Sequence, residues 1–172
     1  FTSAYNRDGD EIYTVILNST TTDQRFTDTA TLANWYYGHK VTVAIANTQE
    51  KTANGNPLMA RIGQTDWTDK TIDATLADPT AQATVFSLAG EVTEKVSYDD
   101  LSGTVHVGDK VGSVTLKQDG TKIAVMDLVA DEEGAGPNPI EWLLVKLDRL
   151  VRRIDNRPIT AESETVAKAP EV

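Results

Sequence analysis

The sequence contains no cysteine and only two histidines among its 172 residues. The absence of cysteine excludes a disulfide framework, a thiolate nucleophile and thiolate metal ligands. His39 and His106 lie far apart and neither has a helical i, i+4 partner, so we interpret them as surface or strand histidines rather than as a zinc site. The chain also lacks a run of about 18 apolar residues, the length that a membrane-spanning helix requires. Nothing in the residues indicates a cofactor.

The sequence motifs of common hydrolases and nucleotide-binding proteins are missing as well. No serine has a lysine three residues further on, and K-T-G, G-x-S-x-G, H-E-x-x-H and a phosphate-binding loop are all absent. Acidic residues at 8–11 and 99–100 could supply oxygen ligands for calcium, but neither cluster has EF-hand spacing, and solvated turn carboxylates are the favoured interpretation. Trp67 could form a sugar-stacking platform, although a loop tryptophan that covers a small β core fits better.

Acidic residues outnumber basic ones, and the imbalance is uneven along the chain. The formal net charge is −10, which argues against a nucleic-acid partner because phosphate binding needs a basic face. Residues 139–157, in contrast, carry five Lys or Arg against three Asp or Glu. This local positive segment is suited to an anionic surface.

The best-formed β signal lies near the middle of the chain. Two strands, at 111–117 and 121–129, flank Gln118-Asp119-Gly120, and Asp-Gly between alternating residues predicts a tight hairpin. The apolar period breaks at the strand ends, which predicts a bulge near Gly112 or Met126. The residues predicted to be buried are Val111, Val114, Leu116, Ile123, Val125 and Leu128.

A hairpin followed by a helix is predicted at the start of the chain. Residues 1–17 read as two strands around a polar turn, and the apolar second strand predicts burial on both faces in a sheet whose other strands lie outside this sequence. Residues 24–37 have apolar positions at spacings of four, three and four, with Asp23 as the expected N-cap and Gly38 as the expected C′ residue.

Short β segments then alternate with turn residues, which is typical of a small antiparallel sandwich or barrel. The predicted strands are 39–46, 57–63, 70–76, 81–88 and 92–98. An acidic Gly/Pro hinge at 131–139 ends the β pattern. The predicted fold class is therefore mainly β with two helices: a small antiparallel β-sandwich flanked by an N-terminal hairpin and helix and by a C-terminal helix.

The last predicted helix is amphipathic. Its apolar residues fall on one stripe, and basic residues accompany them. The stripe consists of Ile140, Leu143, Leu144, Leu147, Leu150, Val151 and Ile154, and the basic residues are Lys146, Arg149, Arg152 and Arg153. Such a helix can lie in a membrane interface, and its 3-4 spacing also suits a coiled-coil seam with another copy or docking on the β-domain. Residues 156–172 are predicted to be a disordered or extended tail.

The order of these motifs resembles the C-terminal part of the serine-type D-alanyl-D-alanine carboxypeptidases, the low-molecular-mass penicillin-binding proteins. The stretch AYNRDGDEIYTVILNS, Arg25-Phe26 and Trp35 resemble the end of that family's penicillin-binding domain. The end of the family's β-domain resembles Val105, Gly108, Val111-Gly112, Gly120 and Leu128-Val129-Ala130. In the family a glycine usually follows the tryptophan directly, whereas here Tyr36 and Tyr37 precede Gly38.

The resemblance implies four regions: residues 1–37 as the end of a catalytic domain, 38–136 as a β-rich pedestal, 137–157 as an amphipathic helix and 158–172 as a flexible tail. It also implies that the acylating serine, its lysine, S-x-N and K-T-G lie upstream of Phe1, so no catalytic residue is assigned and this chain alone is expected to be inactive. The implied parent removes the terminal D-Ala of peptidoglycan stem peptides at the outer face of the cytoplasmic membrane. The implied partners are the upstream catalytic domain and a membrane surface or a second copy. The alternative is a stand-alone β-sandwich binding or interaction module of a cell-surface protein.

Overall fold

The computed structural model describes residues 1–171. Along these residues the chain forms, in order, β1 (Thr2–Arg7), β2 (Asp10–Val15), α1 (Thr22–Gly38), β3 (Lys40–Ala44), β4 (Ala60–Gly63), β5 (Thr71–Leu76), β6 (Gln82–Phe86), β7 (Val92–Tyr98), β8 (Lys110–Gln118), β9 (Thr121–Ala130), α2 (Pro139–Ile154) and β10 (Glu164–Thr165).

The β-domain is built from two antiparallel sheets around one core. In the described part of the chain, the main sheet has the strand order β10-β4-β5-β9-β8-β7, and the smaller sheet consists of β3 and β6. Val43 and Val85 of the smaller sheet belong to the same buried cluster as Ile62 and Leu116 of the main sheet. The architecture is thus mainly β, sandwich-like and accompanied by two helices, which confirms the predicted fold class.

The central hairpin of β8 and β9 forms as the Asp-Gly signal predicts. Asp119 and Gly120 both adopt positive φ values, 46° and 75°, as a two-residue primed turn requires. The register shifts between Lys110 and Gly112, where a bulge is predicted, and again near Leu116 rather than at Met126.

Burial in this hairpin follows the prediction only in part. Val111, Val114, Leu116 and Leu128 are fully buried. Val125 is 47% exposed, so the prediction that it is buried is wrong.

Helix α1 begins earlier and buries a different face than the sequence predicts. Thr21, not Asp23, is the N-cap, since its hydroxyl accepts a hydrogen bond from the Gln24 amide at 3.1 Å. The helix continues through Gly38, and its buried residues are Thr29 and Ala33, whereas Phe26 is 56% exposed. A threonine can replace an apolar residue on the buried face because the Thr29 hydroxyl donates to the Arg25 carbonyl within the helix.

The N-terminal hairpin contacts the rest of the chain through one side only. Thr14 of β2 is buried, but Tyr13, Val15 and Leu17 are 71%, 60% and 81% exposed. Among residues 1–171 the strands β1 and β2 pair only with each other. The burial of both faces predicted from the sequence is therefore not reached within this chain.

The C-terminal tail is extended, one of the two forms predicted from its polar composition, and it is docked on the β-domain. Glu164 and Thr165 form β10, which pairs antiparallel with β4 at the edge of the main sheet. The amides of Val166 and Ala167 both donate to the Met59 carbonyl, and Ala167 is buried. The chain thus returns to the β-domain after α2, so α2 is joined to the β-domain at both of its ends.

Candidate functional site

Local signals fix where helix α2 begins. Asn138 is the N-cap, and its side-chain oxygen accepts hydrogen bonds from the amides of Ile140 and Glu141, both at 3.0 Å. The Glu141 carboxylate accepts in return from the Asn138 amide at 2.9 Å, which completes a capping box. Pro139 occupies the first turn, where its fixed φ is favourable. Arg152 and Arg153 occupy the last turn, where their positive charges stabilise the negative end of the helix dipole.

The apolar stripe of α2 faces solvent. All seven of its residues are more than half exposed, from 53% for Val151 to 79% for Ile154. The buried residue of this helix is Val145, which is 8% exposed. At 3.6 residues per turn, Val145 lies on nearly the opposite side of the helix from the middle of the stripe. The prediction that the stripe docks on the β-domain is therefore wrong.

Polar residues attach α2 to the β-domain instead. The Arg149 guanidinium donates to the Thr65 carbonyl at 2.6 Å, and Arg152 forms an ion pair with Asp148 at 2.6 Å within the helix. Hydrogen bonds from Thr68 and then Arg152 hold the pKa of the Asp148 carboxyl below its usual value. The loop between β4 and β5 thus holds α2 on the β-domain.

Trp67 in that loop holds the chain on both sides of α2. Its indole Nε1 donates to the Ala135 carbonyl at 3.0 Å, and its own carbonyl accepts from the Ala161 amide at 3.0 Å. Trp67 is 7% exposed, and the Lys70 ammonium lies 3.2 Å from the ring centroid. The tryptophan is therefore buried between the chain segments that flank α2, and it does not belong to the core cluster of the two sheets, so the interpretation that it covers the β core is not confirmed. The sugar-stacking hypothesis is wrong because Trp67 is only 7% exposed and Lys70 lies over its ring.

Gly63 makes the close approach of the returning chain possible. A Cβ atom at this position would lie 2.2 Å from the Ala161 carbonyl oxygen, a distance that no side chain can accommodate. The Gly63 amide also donates to the Ser163 hydroxyl at 3.0 Å. We call Gly63, Trp67, Ala135 and Ala161 together the base of the helix.

The structure separates the predicted basic residues into two pairs. Arg149 and Arg152 are partly buried, Arg149 against the Thr65 carbonyl of the β-domain and Arg152 against Asp148 of its own helix, whereas Lys146 and Arg153 are exposed. The Lys146 ammonium lies 4.8 Å from the centroid of the Trp142 ring, which is itself 53% exposed. Sequence periodicity could not reveal this separation, because it depends on which side of the helix meets the loop.

A second exposed apolar surface lies on the N-terminal unit. Tyr13 and Val15 of β2 and Leu17 just after it are exposed, and α1 adds a shallow apolar hollow lined by Leu32 and Trp35. We call β1, β2 and α1 the N-terminal unit. It meets the β-domain where Phe86 stacks on Tyr36 and where the Lys40 ammonium pairs with Asp10 at 2.6 Å.

The two histidines are far apart in the sequence, and each contacts a nearby polar group. A ring nitrogen of His39 lies 2.7 Å from the Trp35 carbonyl oxygen, and the His106 ring lies 3.5 Å from the Asp109 carboxylate. Residues 1–171 include no group of three or more His, Cys, Asp or Glu side chains arranged to hold a metal ion. None of the helices in the described residues is both long and apolar enough to cross a membrane.

The comparisons with known proteins give structural matches alone. No family model matches the chain, and no curated protein matches it. Penicillin binding protein 5 from Haemophilus influenzae matches with 15% identity and a TM-score of 0.43, over 77% of this chain and 38% of that one. The D-alanyl-D-alanine carboxypeptidase DacD from Francisella tularensis matches with 15% identity and a TM-score of 0.43, over 79% of this chain and 33% of that one.

Both matched structures are of the kind of protein that the sequence motifs resemble, the D-alanyl-D-alanine carboxypeptidases and penicillin-binding proteins. This chain spans between a third and two fifths of the length of those structures.

Proposed function

We propose that this chain is the non-catalytic C-terminal region of a peptidoglycan D-alanyl-D-alanine carboxypeptidase and that it serves as a spacer attached to a membrane surface. The observation that carries the attachment is the orientation of α2. Its polar side is held by the loop between β4 and β5, and its seven-residue apolar stripe is presented to the outside. A soluble protein rarely exposes such a continuous apolar surface without a partner for it.

The dimensions of α2 favour an interfacial position over a spanning one. Its 16 residues extend about 24 Å, which is less than the roughly 30 Å of a bilayer core. Polar and charged residues cover the side away from the stripe. A helix of this kind lies in the plane of the interface, with its apolar side chains below the headgroups.

The apolar stripe is large enough to bind. Because about half of each side chain is already covered in the protein, insertion contributes roughly 1 kcal/mol for each residue of the stripe. Seven residues together contribute several kcal/mol, which exceeds the gain from a single isolated apolar residue and offsets part of the cost of immobilising the protein.

The two attachment points on the β-domain support the proposed spacer role. The N-terminal unit contacts the small sheet through Phe86, while α2 is seated on the loop between β4 and β5. Several antiparallel strands with a shared core separate these contacts. A domain built in this way holds what precedes it at a fixed distance from what α2 binds.

The N-terminal unit supplies the proposed connection to an upstream catalytic domain. Its strands β1 and β2 have outer edges without a partner in residues 1–171, and Tyr13, Val15 and Leu17 are exposed. A two-stranded sheet is marginal in water by itself. Further strands of an upstream domain would pair with this hairpin, as the sequence resemblance implies, and would carry the acylating serine. The protein would then act in the cell envelope, at the outer face of the cytoplasmic membrane.

A second candidate use of the same stripe is association with another copy. The residues Ile140, Leu143, Leu147, Leu150 and Ile154 follow the 3-4 spacing of a coiled-coil seam. Two such helices would cover each other's apolar side chains in place of lipid. This alternative predicts a dimer in the absence of vesicles.

Flotation with phospholipid vesicles tests the attachment. We expect the wild-type chain to float and the triple variant Leu143→Ser, Leu147→Ser, Leu150→Ser to lose about 100-fold in partitioning, because roughly 1 kcal/mol is removed at each of three positions. These side chains are exposed, so the variant is expected to keep its fold. Equal flotation of both proteins would refute the membrane role.

A matched control uses the other exposed apolar surface. The triple variant Tyr13→Ser, Val15→Ser, Leu17→Ser removes three similarly exposed apolar side chains and is expected to float as the wild type does. Light scattering on the same proteins without vesicles addresses the second candidate. A wild-type dimer that the α2 variant converts to a monomer would favour self-association.

The gene upstream of Phe1 tests the proposed parent. A reading frame that encodes S-x-x-K, S-x-N and K-T-G in that order would support it. An initiator methionine directly before Phe1, or an unrelated domain there, would contradict it.

A further inference from the structure

The four basic residues of α2 differ in what they already contact. Arg149 donates to the Thr65 carbonyl, and Arg152 pairs with Asp148 and also donates to the Pro158 carbonyl at 3.4 Å. Within residues 1–171, the side chains of Lys146 and Arg153 form neither an ion pair nor a hydrogen bond with another protein group. Two of the four positive charges are therefore bonded to polar protein groups. The other two are not, although the Lys146 ammonium lies over the exposed Trp142 ring, and both remain accessible to an anionic partner.

The two available charges lie on the same edge of the stripe. At 100° per residue, Lys146 and Arg153 both fall next to the side on which Leu150 lies. The acidic residues Asp148 and Glu141 fall beyond the opposite edge. When the stripe is inserted, Lys146 and Arg153 are thus at the level of the lipid headgroups along one side of the helix.

We propose that Lys146 and Arg153 bind anionic lipid headgroups and determine the lipid preference of α2. Arg149, which donates to the Thr65 carbonyl of the β-domain, and Arg152, which contacts Asp148 and the Pro158 carbonyl, are instead positioning residues that fix the helix in place. This inference rests on the membrane attachment proposed above. It names the partner as anionic phospholipid and assigns different tasks to residues that the sequence alone presents as equivalent.

The acidic character of the whole chain bears on how it can bind an anionic membrane. The chain carries a formal net charge of −10, which opposes approach to an anionic surface. At physiological ionic strength, however, charges farther than about 8 to 10 Å from the surface are largely screened. The charges at the stripe edge then dominate, because they are the ones that reach the headgroups.

The test compares partitioning into neutral phosphatidylcholine vesicles with partitioning into vesicles that also contain phosphatidylglycerol. A basic residue near an anionic surface contributes about 1 kcal/mol, or roughly five-fold in partitioning. We expect Lys146→Gln and Arg153→Gln each to lower the ratio of anionic to neutral partitioning about five-fold, and the double variant about 25-fold. Binding to neutral vesicles is expected to stay unchanged, and added salt to reduce the ratio for the wild type.

Arg149→Gln and Arg152→Gln are the matched controls, since they remove the same charge from the same helix. They are expected to leave the ratio of anionic to neutral partitioning nearly unchanged. They are also expected to increase the rate of amide hydrogen exchange in α2, because the helix is held less firmly. Arg149→Lys tests whether a positive charge alone is enough to hold α2 on the loop between β4 and β5. We expect the amide hydrogen exchange rate in α2 to remain raised because lysine lacks the planar guanidinium.

The outcomes separate this inference from the proposed function. A wild-type chain that binds both vesicle types equally would overturn the inference and leave the attachment standing. The inference is also overturned if Arg149→Gln and Arg152→Gln lower the ratio as much as Lys146→Gln and Arg153→Gln. A wild-type chain that binds neither vesicle would refute the attachment and the inference together.

Discussion

Glu94 gives the chain a pH-dependent stability that can be calculated from its surroundings. It lies on β7 between the core-facing residues Val92 and Val96, on the same face of the strand. Both of its carboxylate oxygens are buried and lack a hydrogen-bond partner within the described residues. Burial raises the pKa of this carboxyl from 4.5 to about 7.

The direction of the effect follows from this raised pKa. Between pH about 4.5 and about 7 the folded protein keeps the proton that the unfolded chain releases, so the free energy of unfolding falls as the pH rises through this range. A full conversion of the pKa difference gives about 3.4 kcal/mol. Because the residue is only partly buried, solvent screening reduces the expected effect to about 1 to 2 kcal/mol.

Glu94→Gln removes the titration and keeps the shape of the side chain. In urea denaturation the variant is expected to match the wild type near pH ~5 and to exceed its free energy of unfolding by about 1 to 2 kcal/mol near pH ~8. Glu91→Gln, at an exposed position on the same segment, provides the charge-matched control. A constant difference between the wild type and Glu94→Gln at both pH values would refute the reasoning.

Two further substitutions test contacts that hold the β-domain together. Gly112→Ala would put a Cβ atom 2.3 Å from the Ser97 carbonyl oxygen on β7, so we expect the free energy of unfolding in urea to fall by about 1 to 3 kcal/mol. Gly120→Ala is the control. Its Cβ atom meets no neighbour, but the residue keeps a positive φ, so the free energy of unfolding should fall by only about 1 kcal/mol. Equal losses would contradict the close approach at Gly112. Trp67→Phe removes the indole donor to the Ala135 carbonyl, which should cost about 0.5 to 1.5 kcal/mol and speed amide exchange in α2. Exchange that stays at the wild-type rate would show that Trp67 does not hold the helix.

Local signals in the sequence were sufficient for much of the secondary structure. The strand at 92–98 forms at the predicted residues, the Asp119-Gly120 turn has the required positive φ values, and α2 begins at Pro139, one residue before Ile140, the first residue of the predicted stripe. Each of these features depends on neighbouring residues in the chain, through strand period, turn conformation and helix capping.

The orientation of α2 could not be predicted, because it depends on distant contacts. An apolar stripe normally predicts the face that packs on the core, yet here Val145 and Arg149 face the β-domain. The pairing of Glu164 and Thr165 with β4 was missed for a similar reason, since two polar residues carry no strand signal by themselves. Both features require knowledge of where the loop around Trp67 lies.

The absence of cysteine allows a direct measurement of the central claim, that the outward stripe of α2 enters a membrane. Spin labels are attached to Leu147→Cys on the stripe and to Lys117→Cys on an exposed position of β8, and their accessibility to oxygen and to a water-soluble relaxation agent is measured with and without vesicles. We expect vesicles to shield the label at 147 from the water-soluble agent and expose it to oxygen, while the label at 117 stays in water. A label at 147 that vesicles leave unchanged would contradict the account.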